Sequence, residues 1–256
     1  MLRGVLALLA LLLATSAQGA GRTLNVAAAA DLKFALDEIS AAFRKEAPAI
    51  DVRVSYGSSG SFFAQIVNGA PYDLFLSADV SYPRRLVEAG LAARGSEFPY
   101  AVGRLVLWVP RESRLDLQRL GMGALLDPTV RRIAIANPDH APYGKAAEAA
   151  MRSAGILDQL RPRLVLGENI SQAAQFVQSG NADAGILALS LALAPAMRDG
   201  GSYWEVPEAS FPRMDQGGVV LTASREPEAA AAFVTFLTGP AGRVILSRFG
   251  FKLPGR

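Results

Sequence analysis

The chain has 256 residues, 26 lysines and arginines against 23 aspartates and glutamates, a formal charge of +3 and no cysteine. A hydrophobic share of 51% is enough for full cores and excludes intrinsic disorder, while the missing thiols exclude disulfides, thiolate metal sites and a cysteine nucleophile. Charges of both signs are interspersed, with only short basic clusters such as Arg131-Arg132, so the basic stripe of a nucleic-acid binder is absent and no nucleic-acid partner is expected.

Residues 1–20 read as a secretory signal peptide. Arg3 gives a positive start, Val5 to Leu13 form an unbroken apolar run, and Thr15 to Ala20 are small or polar. The run is too short to span a bilayer. Cleavage is expected after Ala17, Gly19 or Ala20, with the mature chain beginning near Gly21, and no cysteine at the junction offers a lipid anchor. No later stretch is long and apolar enough for a membrane span.

The mature chain opens with a strand-like run, Leu24-Asn25-Val26, followed by the small residues Ala27 to Ala30. Leu32, Leu36, Ile39 and Phe43 then recur at helical spacing, which predicts one buried helix face. A strand is expected over Asp51 to Tyr56, a turn at Gly57-Ser58-Ser59-Gly60, and a helix over Ser61 to Val67 with Phe62, Ile66 and Val67 on one side. Asp73 to Ser77 reads as a buried strand. Further strands are expected at Leu105–Val109, Arg132–Ala136, Leu164–Leu166 and Val219–Leu221, while Ala184–Leu189 reads as a buried strand or a helix start. Helices are expected at Gly144–Ala154, Ser171–Ser179 and Pro227–Leu237, and 200–218 reads as irregular. This strand and helix alternation predicts an α/β architecture.

Three loops place small or hydroxyl residues just ahead of a helical pattern: Ala29-Ala30-Asp31, Gly57-Ser58-Ser59-Gly60 and Ala141-Pro142-Tyr143-Gly144. A weaker fourth is Asn169-Ile170-Ser171. Helix N-termini carry unsatisfied N–H groups and the positive end of the helix dipole, so several converging on one cleft could hold an anion without lysine or arginine. Each loop taken alone is equally an ordinary N-cap or turn.

Catalytic motifs fit poorly. Ser59 fails the Gly-x-Ser-x-Gly pattern, because Ser61 stands where the second glycine should be. Tyr143-Gly144-Lys145-Ala146 lacks the first glycine and the Ser/Thr of a phosphate loop. His140 is the only histidine, so no histidine-rich cation site can form, and it reads as a loop residue near the cleft. Asp73 and Asp79 flank a strand and read as caps of neighbouring helices. A periplasmic hydrolase using His140 and a cleft serine is the alternative from a different class.

The stretch Val54 to Gly60, followed by Ala64 to Asp79 with its Asn68-Gly69-Ala70-Pro71-Tyr72-Asp73-Leu74-Phe75-Leu76-Ser77-Ala78-Asp79, resembles the periplasmic molybdate-binding proteins of ABC importers. So do Tyr100 to Trp108, Asn137 to Gly144, Gly180 to Gly185 and Phe236 to Pro240. The resemblance covers the mature chain in order. It implies a two-lobed type II periplasmic binding fold with the ligand cleft between the lobes. Lobe 1 would hold residues 21–103 plus 211–256, and lobe 2 residues 104–210.

By resemblance the chain is a monomeric, periplasmic receptor and not an enzyme. It would need no cofactor and no metal cation, and would deliver molybdate, with tungstate as a second ligand, to importer membrane subunits and their ATPase. The implied ligand contacts are Ala30 and Asp31 at the first helix start, Ser59 in the second turn, and the backbone N–H groups of Tyr143 and Ile170. A tyrosine present in some members is replaced by Ala188. Asp31 stands where members carry Ser or Asn, and an ionised carboxylate repels a dianion. Three resolutions stay open. Asp31 caps its own helix and offers only its N–H, or it is protonated and donates, or the ligand itself carries a proton, as hydrogen phosphate does. The last would make the chain a receptor for another oxyanion.

Overall fold

The computed structural model describes residues 22–255, and the expected signal peptide lies outside them. In chain order the strands are β1 (Arg22–Ala29), β2 (Ile50–Gly57), β3 (Leu74–Ser77), β4 (Phe98–Val102) and β5 (Leu105–Pro110). They continue with β6 (Ile133–Ala136), β7 (Leu164–Gly167), β8 (Ala184–Ala188), β9 (Gly201–Glu205) and β10 (Asp215–Val220). They form two five-stranded sheets, β2-β1-β3-β10-β4 and β7-β6-β8-β5-β9. Each sheet has three parallel strands followed by an antiparallel one, β10 in the first and β5 in the second. The α/β alternation read from the sequence, and the two lobes implied by the resemblance, are observed.

The chain leaves the first sheet at Val102, passes Gly103 and Arg104, and enters the second at Leu105; it returns between Glu205 and Asp215. These two crossings join the lobes. They also place β10 between β3 and β4, so the middle of the first sheet is closed by late sequence.

Side chains alternate across the first sheet with the period of two that a pleated strand imposes. Leu24, Val26 and Ala28 of β1 and Leu74 and Leu76 of β3 face one core, with Leu36, Ile39 and Phe43 of the Lys33–Glu46 helix and Phe233 and Leu237 of the Pro227–Thr238 helix. Ala27 and Phe75 face the opposite core, with Phe62 and Ile66 of the Ser59–Val67 helix and Leu86 of the Ser81–Glu88 helix. The second sheet builds its own core, and Ala29, Ala30 and Ala78 from the first lobe join it. Small residues at those strand ends let the lobes approach closely.

Four expectations are corrected. Val67 is 49% exposed and does not share the buried face of Phe62 and Ile66. The stretch 200–218 holds β9 and the first half of β10; β9 is an edge strand whose short alternation follows the turn-like pair Gly200-Gly201. Asp73 does not cap a helix, because its carboxylate accepts from the Asn25 N–H, the Ser224 hydroxyl and the Arg225 N–H. The turn at 57–60 is shorter than read, since Ser59 already starts its helix. Asp79 accepts from the N–H of Ser81, at the start of the Ser81–Glu88 helix. Two elements carry little sequence signal, β4, whose Pro99 fits its edge position, and the Pro240–Arg248 helix.

Candidate functional site

The carboxyl ends of β1, β2 and β3 meet the loops that follow β6 and β7. Open α/β sheets bind ligands at the carboxyl ends of their strands. There lies a small, tight cavity, and Ala30, Asp31, Ser59, Tyr143 and Ile170 all line it. Ala29, Gly57, Ser58, Ala78, Ala141 and Pro142 complete the wall, which among the described residues contains no lysine or arginine.

Each loop turns into a helix at the cavity. Ser58 caps the Ser59–Val67 helix by accepting from the Ser61 N–H, and Asn169 caps the Ile170–Gln178 helix by accepting from the Gln172 N–H. The Pro142–Ser153 helix has Pro at its first position and no side-chain cap. The first N–H groups of such helices have no acceptor within the helix, and each N-terminus carries about half a positive charge. Ser59 is fully buried, and its hydroxyl accepts from the Ala78 N–H at 3.0 Å, which leaves its own hydrogen to donate.

Asp31 is the unusual wall residue. It is 1% exposed, and its Oδ2 accepts from Gln216 Nε2 at 2.6 Å, while Oδ1 is buried without a well-formed hydrogen bond. Burial pushes its carboxyl up to about 6; hydrogen bonds from Gln216, Tyr143 and the N–H groups of Asp31 and Leu32 pull it only part of the way back. The firm bond of this carboxylate therefore runs to β10 and not to the helix it opens. Burial and the Asp31 charge push the Tyr143 and Tyr100 hydroxyls well above the ordinary tyrosine range.

Gln216 was not singled out from the sequence. The register of β10 against β4 shifts between Gln216 and Gly217, a bulge that turns the buried glutamine toward Asp31 and Tyr143. A polar residue followed by Gly217-Gly218 inside an apolar strand is the signal that could have found it.

Polar contacts join the lobes around the cavity. Gly60 N–H donates to His140 O at 2.9 Å, Ser171 Oγ to Ala30 O at 2.9 Å, and Ser190 Oγ to Asp31 O at 2.7 Å. Ser58 Oγ lies 2.8 Å from His140 Nδ1, and Ser61 Oγ donates to Glu168 at 3.0 Å. A Cβ on Gly60 would stand 2.6 Å from His140 O, so only glycine allows this approach. Ser58, His140 and Glu168 have the composition of a hydrolytic triad. Ser58, however, is 4% exposed and its oxygen is occupied in capping a helix, which is a poor state for a nucleophile.

Residues 24–252 match the family model for bacterial extracellular solute-binding proteins. The chain is 39% identical over 243 residues to a molybdate-binding protein of Rhodobacter capsulatus, covering 95% of this chain and 93% of that one. The solved periplasmic molybdate-binding protein of Azotobacter vinelandii superposes with a TM-score of 0.84 at 36% identity, covering 90% of this chain and 99% of that one. A sulfate-binding protein of Mycobacterium tuberculosis superposes with a TM-score of 0.72 at 19% identity, over 91% of this chain and 88% of that one, and shares the fold alone. With its two crossing-linked lobes and the cavity between them, the chain belongs to the family of bacterial extracellular solute-binding proteins.

Proposed function

We propose that the protein is a periplasmic receptor that captures molybdate between its lobes and delivers it to the membrane subunits and ATPase of an ABC importer. The observation that carries this reading is the convergence of helix starts and a donating serine on one small cavity without a basic side chain. Such a wall suits a compact oxyanion, whose charge is met by N–H dipoles. Ala30, Asp31, Ser59, Tyr143 and Ile170 are the contacts: Ser59 through its hydroxyl, Tyr143 and Ile170 through backbone N–H groups. The molybdate-binding relatives support the choice of anion. Tungstate, of nearly the same size and charge, is the second ligand. The receptor acts as a monomer, exported by a signal peptide in residues 1–20.

Thermal melting of the mature protein with molybdate, tungstate, sulfate and phosphate in turn tests the proposal. A ligand at a hundred times its dissociation constant adds about 2.7 kcal/mol, which raises the melting point of a domain this size by roughly 5–10 °C. Shifts of that size with molybdate and tungstate alone are expected. A shift with phosphate alone would reassign the ligand, and none with any anion would remove the proposed function.

A further inference from the structure

We infer that every oxyanion captured takes one proton into the cavity with it, held between the Asp31 carboxyl and an anion oxygen. The inference rests on the binding role proposed above and adds how that site is regulated.

The geometry leaves few other ways to balance the charge. Asp31 is nearly fully buried in the cavity wall; among the described residues one of its oxygens has no firm partner, and no lysine or arginine lines the wall. Among the described residues, the side chains that face the Asp31 carboxyl are neutral. β10 offers the Gln216 amide, the Pro142–Ser153 helix offers Tyr143, and β4 offers Tyr100, both phenols being held protonated by burial and by Asp31 itself. Ser171 and Ser190 reach the carbonyls of Ala30 and Asp31. Lys33, two residues on, is turned to Asp37. His140 lies across the cavity on Ser58, with Glu168 beyond it.

An ionised Asp31 beside a dianion would therefore gather three negative charges around a buried carboxylate, where repulsion is weakly screened. One proton from solvent on Oδ1 turns the carboxyl into a donor to the anion, while Oδ2 still accepts from Gln216. The bond formed is O–H on the carboxyl, and the proton returns to solvent when the anion leaves. With a more basic anion the same proton stays on the ligand.

Burial holds the carboxyl near 6 before the anion arrives. Above that pH the proton must be taken up, so affinity falls by about tenfold per pH unit. Calorimetric titration of molybdate from pH 6.5 to 9, in buffers of different ionisation enthalpy, reads both quantities. The wild-type protein should lose about a hundredfold in affinity between pH 7 and pH 9 and take up close to one proton per anion at pH 8. Asp31→Asn, or Asp31→Ser should the first fold poorly, should bind with no proton uptake and a flat profile, with His140 unchanged in both. Wild-type binding that is flat with pH and takes up no proton overturns the inference and leaves the receptor intact. The same slope in the Asp31 variants also overturns it, because the proton would then reside elsewhere. Absence of molybdate binding by wild type at every pH removes the proposed function itself.

Discussion

Ser58 Oγ and His140 Nδ1 stand 2.8 Å apart on opposite lobes, and the same histidine's carbonyl accepts from Gly60 one turn of chain away. The pair is a seam between the lobes, with Ser58 in the cavity wall and His140 behind it. Removing the imidazole should leave the lobes folded and loosen their closure. We expect His140→Ala to weaken molybdate binding by about 5–20-fold, the value of one or two hydrogen bonds. Stopped-flow competition should show the change mainly in the dissociation rate.

Gly60→Ala tests the same seam by steric means. The added methyl would press on a backbone carbonyl that has little room to retreat. The substitution should lower affinity by more than tenfold while the ligand-free melting point moves by less than about 3 °C, roughly 1 kcal/mol for a chain of this size. A large loss of ligand-free stability instead would show that the lobes are pressed together without ligand.

Asp31 also affects the empty protein. Its carboxyl lies near 6 in the folded state against 3.8 in an unfolded chain. Between those values the native state holds more protons than the unfolded one, so stability is greatest below the lower value and falls as pH rises to the upper. The difference of about two units corresponds to roughly 3 kcal/mol. Ligand-free Asp31→Asn should therefore melt several degrees above wild type at pH 8, and the gap should close toward pH 4. An equal melting point at pH 8 would show that the buried carboxylate is better solvated than its surroundings suggest.

Asp73 behaves in the opposite sense. Burial alone would raise its carboxyl, but the Asn25 N–H, the Ser224 hydroxyl and the Arg225 N–H outweigh that and hold it below the ordinary value of 3.8. Its stabilisation is present above that ordinary value and is lost as pH falls through the lowered one. Asp73→Ala leaves two backbone N–H groups without an acceptor and should cost about 2–4 kcal/mol, read by urea unfolding at pH 7. Molybdate affinity in the folded fraction should be unchanged.

These residues also show how far the sequence could be read. Leu32, Leu36, Ile39 and Phe43 announced their helix because a buried face repeats with the helical period. The four loops around the cavity were visible because small and hydroxyl residues stood just ahead of such patterns, and the structure gathers them at one place. Gln216 was hidden because its position depends on a bulge against β4, a strand more than a hundred residues earlier. Ser58 and His140 were each seen, but nothing local says that they touch. Asp73 looks like a cap in sequence because its partners Ser224 and Arg225 lie far along the chain.

The place of β10 has a consequence for the order of assembly. Phe75 on β3 pairs with Val219, and Ala101 on β4 pairs with Gln216, so these two strands have no common neighbour until residues 215–220 are available. The second sheet, by contrast, draws all its strands from Leu105 to Glu205. The lobe whose synthesis starts first is thus the last to be completed, and its closing strand carries the glutamine that holds Asp31. Contacts so distant along the chain form slowly, because a long loop must close before they are rewarded. In a nascent chain this sheet, and the bond by which Gln216 holds Asp31, stay unformed until residues 215–220 have been made.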